Sequence, residues 1–185
     1  METQVQSFYP SPIGIKFISV FGYSTKGVPG LEINGLGKFG KNLKEKIIYM
    51  NKIRKIKIPV RRVVISLDSN ELDPSANWNQ LKWLEFPTLL AFWHLVGAVK
   101  VSTLEDCLCA GEIKVGGEVI HLRPPPNFLN KLPESFPKEL KIIQKESNED
   151  LWHMDSKLFL EHIPNLRFKT HMESVSETPI KSIMA

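Results

Sequence analysis

Three groups of residues in this 185-residue chain have types and spacings that can carry chemistry. The first is Gly35-Leu36-Gly37-Lys38-Phe39-Gly40-Lys41-Asn42, which satisfies both G-x-G-x-x-G and G-x-x-x-x-G-K. Backbone N–H groups at a helix start cradle phosphate, so Gly35, Gly37, Gly40 and Lys41 form a candidate nucleotide loop. Its chemistry is incomplete. A P-loop places a Ser or Thr hydroxyl on the metal, and Asn42 stands there instead. A dinucleotide fold places an acid about 20 residues further on; here that region is Arg54-Lys55-Ile56-Lys57. The second group is Cys107 and Cys109, with His94 and His121 as the nearest further ligands. No zinc spacing links them, so two small buried hydrophobes are expected and no metal. Trp78, Trp83, Trp93 and Trp152 are expected as core or loop anchors, and His153, His162 and His171 are scattered.

The third group is electrostatic. Residues 38–62 hold ten basic residues and one acid, Glu45, for a net charge of +9. The whole chain is only +4, so the other 160 residues carry −5. A basic band on a mildly acidic body attracts polyanions. Lys38, Lys41, Lys44, Lys52, Arg54, Lys55, Lys57, Arg61 and Arg62 are therefore the candidate nucleic-acid contacts. The run shows no aromatic interleaving of the kind that stacks bases. Otherwise composition is ordinary: 42% hydrophobic, 24% charged, two cysteines. That excludes wholesale disorder and a disulfide framework. The apolar stretch Phe86 to Val99 is too short to span a bilayer, and the N-terminus lacks signal-peptide character, so a cytoplasmic protein without a membrane partner is expected.

Positioning these groups requires a mixed α/β architecture. Ile13 to Phe21 alternates as a strand, Thr25 to Gly30 has turn chemistry, and Leu31 to Asn34 is a second short strand, so a hairpin of the two is expected. Phe39, Leu43, Ile47, Met50 and Ile53 recur at spacings of 4, 4, 3 and 3, which predicts a helix from Lys38 to about Arg54 with one buried stripe. Arg62 to Leu67 is a buried strand, Asp68 to Gln80 a loop, and Pro87 to Val99 a buried helix. Leu108 to Lys114 and Glu118 to Leu122 flank Gly116-Gly117 as a hairpin. Weaker patterns suggest a strand at Leu140 to Gln144 and a helix at Lys157 to His162.

Four blocks then resemble one family. Gly30 to Leu36, Pro59 to Leu67, Leu84 to Ala91, and Ala110 to Ile113 are similar, in order, to the opening of the ComM/YifB competence proteins, which are magnesium-chelatase-related. The resemblance implies a Lon proteolytic-domain-like, ribosomal-protein-S5-domain-2-like fold, with two helices on a mixed sheet. With it the chain divides into an N-terminal arm (1–12), a Lon-like domain (13–126) and a poorly matched C-terminal extension (127–169), and the Ser, Thr, Glu and Pro composition from Thr170 onward makes 170–185 a flexible tail. It implies a link to DNA processing in natural transformation, a separate AAA+ ATPase subunit as partner, and a homo-oligomer as a further possibility. In the Lon protease a Ser-Lys dyad does the chemistry. Aligning on Gly111-Glu112 puts Glu85 at the Ser position and Pro126 at the Lys position, so no catalysis is expected; Ser75 with Lys131 is a remote substitute. No cofactor is expected. The alternative reading is a nucleotide-binding, chelatase-type ATPase accessory domain using Gly35 to Asn42, or a remnant without activity.

Overall fold

The computed structural model describes residues 1–53, 55–99, 101–116, 118–125, 128–137 and 140–143, and the backbone of 167–170. Arg54, Gly117, Pro126, Gln144, Trp152, His153, His171, the helix expected at Lys157–His162 and the tail beyond Thr170 lie outside the described residues.

Strands β1 (Glu2–Ser11) and β2 (Gly14–Thr25) form a long antiparallel hairpin, with Glu2 opposite Tyr23 and Ser11 opposite Gly14. β3 (Gly30–Asn34) leads through helix α1 (Lys38–Ile53) to β4 (Arg62–Leu67), which is parallel to β3 and inserts between β2 and β3, so the hairpin expected of those two strands does not form. A one-turn helix α2 (Trp78–Leu81) and a short 3-10 turn lead into α3 (Glu85–Leu95). Short strands β5 (Cys107–Leu108), β6 (Gly111–Ile113), β7 (Glu118–His121), β8 (Lys141–Ile142) and β9 (Arg167–Thr170) follow. The main sheet is mixed and six-stranded, in the order β3-β4-β2-β1-β5-β8, and a second sheet runs β6-β7-β9. The architecture is thus mixed α/β, with two full helices, α1 and α3, and a mixed six-stranded sheet. No described helix is long and apolar enough to cross a membrane.

The expected N-terminal arm is instead β1, bonded to β2 on one side and β5 on the other. Five consecutive residues, Val5 to Tyr9, are buried, because both faces of the strand are covered. Such a strand has no alternation to read. The hairpin expected at Leu108 to Leu122 is also divided. β5 adds to the main sheet, then the chain crosses at Cys109-Ala110 and β6 opens the second sheet. On β2, Ile18 and Val20 are fully buried, whereas Phe17 packs edge-on against Phe136 and Phe21 stays exposed.

Every residue of α3 is buried, as befits a helix that is apolar all round. Its Trp93 Nε1–H donates to Asn51 Oδ1 at 2.9 Å, and the Asn51 amide donates to the Ile47 carbonyl, so the buried polar groups that link α1 to α3 are paired. His94 Nδ1 lies 2.7 Å from the Thr3 hydroxyl and Nε2 lies 3.1 Å from the Val101 carbonyl, tying α3 to β1.

His121 of β7 is buried edge-on against Phe86, and desolvation pushes its pKa down to about 4. In the unfolded chain it titrates near 6.5, so between pH 6.5 and 4 the unfolded state binds more protons and the His121 contribution falls as pH falls. That contribution amounts to about 3 kcal/mol. His121→Leu should therefore have a flatter loss of stability than wild type across this window in urea unfolding. Parallel curves would contradict the assignment.

Candidate nucleic-acid interface

α1 sets the geometry of the basic band. Its buried side is Gly40, Leu43, Ile47, Met50 and Asn51, with Met50 and Asn51 lying three and four residues beyond Ile47. Two members of the expected stripe depart from it: Ile53 is 52% exposed, and Phe39 stacks on Trp78 with ring centroids 5.4 Å apart. Opposite the buried side, Lys38, Lys41 and Lys52 point to solvent. Lys55 turns the chain away from the helix with φ +54°, and Lys57 and Arg61 continue the band on the loop to β4. Among the described residues none of these six forms an ion pair.

Three further cations of the run behave differently. Arg62 makes a two-pronged contact with Glu32 across β4 and β3, both bonds at 2.9 Å, and the Arg62 hydrogen bond holds the Glu32 carboxyl below its usual range. Lys44 is half-buried on the flank of α1, where its charge also favours ionised Glu32. Lys46 leaves the band altogether. Its Nζ lies 2.6 and 2.8 Å from the two oxygens of Glu85 and 2.9 Å from the Ile113 carbonyl, and sits over the Trp78 ring.

The lack of interleaved aromatics is corrected by Tyr49, which is 50% exposed on the solvent side of α1 between Glu45 and Lys52. Spacing alone places it there, since two residues beyond buried Ile47 is about 200° around a helix.

The glycines of the 35–42 loop have backbone reasons to be glycine. Gly35 has φ +94°, and an added Cβ would sit 2.5 Å from the Leu67 carbonyl oxygen at the end of β4. Gly40 faces the Ile33 carbonyl, where a Cβ would come to 3.1 Å. Gly37 has φ +53° with open space around it. Gly35→Ala should therefore destabilise by about 2–4 kcal/mol through combined strain and overlap, whereas Gly37→Ala should cost about 1 kcal/mol. Equal losses in denaturant midpoint for the two variants would contradict this assignment.

No protein-family model and no curated protein matches the chain.

The dyad positions therefore rest on their local chemistry. Glu85 opens α3 at 1% exposure and accepts a 2.8 Å bond from the Ile113 N–H besides its contacts with Lys46. Burial raises its pKa, against the pull of Lys46 and Ile113. Ser75 lies in an exposed turn, where its hydroxyl donates to Asp73 Oδ1 at 2.6 Å and helps hold the Asp73 carboxyl below its usual range. Lys131 ends the 3-10 turn Phe128–Lys131 and is exposed. Cys107 and Cys109 are both buried; desolvation and neighbouring Asp106 push the Cys107 thiol up to about 12, and burial raises Cys109 well above its ordinary value. Neither forms a thiolate near neutrality. Among the described residues no group of three or more His, Cys, Asp or Glu is gathered as a metal site.

Proposed function

We propose that this chain is a non-catalytic, Lon-like domain of the ComM type that serves as a cytoplasmic DNA-interaction module. The observation that carries the reading is the set of six exposed cations along α1 and the loop to β4 that form no ion pair among the described residues: Lys38, Lys41, Lys52, Lys55, Lys57 and Arg61. Neutralising phosphates with such groups releases counterions, which drives binding without reading sequence.

The family reading draws support from where the four resembling blocks fall. Gly30 to Leu36 covers β3 and the turn into α1, Pro59 to Leu67 ends in β4, Leu84 to Ala91 opens α3, and Ala110 to Ile113 contains β6. The fold within the α/β class is then the ribosomal-protein-S5-domain-2-like one, with the parallel β3-α1-β4 unit beside the β1-β2 hairpin. Glu85, paired with Lys46, stands where a protease would place its serine, which supports a pseudo-protease. A separate AAA+ ATPase subunit would supply the motor.

Fluorescence anisotropy with two duplexes of unrelated sequence tests the DNA reading. Both should bind at 50 mM salt with micromolar dissociation constants that agree within about threefold, as expected when backbone contacts dominate. A strong preference for one sequence, or no binding at high micromolar protein, would contradict it.

A further inference from the structure

Exposed apolar side chains are concentrated beside the basic band. Among the described residues eleven large hydrophobics are exposed, and five of them, Ile48, Tyr49, Ile53, Ile58 and Val60, fall within residues 48–60. A sixth, Val28, sits on the adjoining β2–β3 turn. The Gly30 N–H donates to the Arg61 carbonyl and Gly30 pairs with Arg62, so the Lys26–Pro29 turn and the Ile58–Arg61 loop lie side by side at one end of the main sheet. Their tips are Val28, 84% exposed, and Val60, 80% exposed. Each loop contains a proline, Pro29 or Pro59, and neither contains an acid. Exposed Lys26 and Arg61 lie on the two loops and exposed Lys55 and Lys57 just ahead of the second, and among the described residues none of the four is in an ion pair.

We propose that this end of the molecule docks on an anionic bilayer surface, with Val28 and Val60 entering the interface and the four cations resting on acidic headgroups. Charge and shape together select the occupant. Two protruding aliphatic tips find no apolar partner on the outside of a nucleic-acid duplex. A headgroup layer over acyl chains accepts both the tips and their cationic rim. The prolines limit the entropy lost when the loops are fixed at the surface. That no described helix is long and apolar enough to cross a membrane does not bear on this mode, because a surface can be bound without being crossed. The proposal does not rest on the DNA reading.

Because Cys107 and Cys109 are buried, an introduced surface cysteine can be labelled selectively. An environment-sensitive nitrobenzoxadiazole dye would be attached to Val28→Cys, to Val60→Cys and, as a control, to Ile13→Cys. Ile13 is 86% exposed at the opposite end of β2. With phosphatidylserine/phosphatidylcholine vesicles at low salt, the dye at 28 and 60 should brighten and shift to the blue, and the dye at 13 should not. Pure phosphatidylcholine should give no change. The double variant Val28→Ser/Val60→Ser should lose about tenfold in vesicle partitioning. Absence of binding to anionic vesicles, binding with no change at 28 and 60, equal brightening at 13, or unaltered partitioning of the serine variant would each overturn the proposal.

Discussion

Lys46→Met should destabilise the protein by about 3–5 kcal/mol at pH 8, the size expected when one partner of a buried ion pair is removed. The pair joins three elements: Lys46 on α1, Glu85 at the start of α3, and the backbone of Ile113 in β6. Without the ammonium, Glu85 keeps, among the described residues, the Ile113 N–H alone at 1% exposure. Burial already lifts its folded pKa above the unfolded value of 4.5, and losing Lys46 lifts it further. Between the unfolded and folded values the folded state binds more protons, so the Glu85 contribution falls as pH rises through that window. The deficit of the variant should thus be greatest at alkaline pH and shrink toward pH 4.5. Lys46→Met/Glu85→Leu should recover most of the loss, since an apolar pair of similar volume is often neutral there. Urea unfolding of both variants at several pH values provides the check. A single-variant loss below 1 kcal/mol at pH 8 would show that the pair is not a structural tie.

Much of this framework is legible in the sequence, and the failures have physical causes. The 4, 4, 3, 3 spacing locates α1 from Lys38, because one face is buried and the other wet. β1 escapes because covering both faces removes the alternation, leaving Glu2 to Ser11 without a pattern. The change of sheet at Cys109-Ala110 is invisible because both halves of the expected strand are equally buried. Within the band, charge counting cannot separate Lys46, which enters the protein, from Lys52, which stays in water; helix phase separates them only once the buried side is known. The Arg62–Glu32 pairing depends on the β3–β4 register, which no local pattern specifies.

Reversing Lys38, Lys41, Lys52 and Lys55 together to glutamate should weaken DNA binding at least 100-fold, since several phosphate contacts become repulsive at once. All four are exposed and without ion pairs among the described residues, so the variant should unfold within about 1 kcal/mol of wild type. Lys44 and Arg62 are left unchanged because both interact with Glu32, and Lys46 because it holds Glu85. The control is Lys82→Glu/Lys114→Glu, which moves the net charge by half as much as the band variant. Those lysines already pair with Glu112 and are not among the six cations of the band, and their reversal should leave DNA binding within about threefold of wild type. A control loss about half that of the band variant on a logarithmic scale, in proportion to the charge change, would mean that net charge, rather than this surface, governs binding.

The salt dependence of wild-type DNA binding tests the central claim most directly. α1 is about 24 Å long at 1.5 Å per residue, so with the adjoining loop the band can engage about four phosphates of one duplex at a time. A plot of log association constant against log salt between 50 and 300 mM should have a slope of about −3 to −4. A slope near zero, or binding that persists undiminished at the upper end of that range, would contradict a phosphate-neutralising surface on α1.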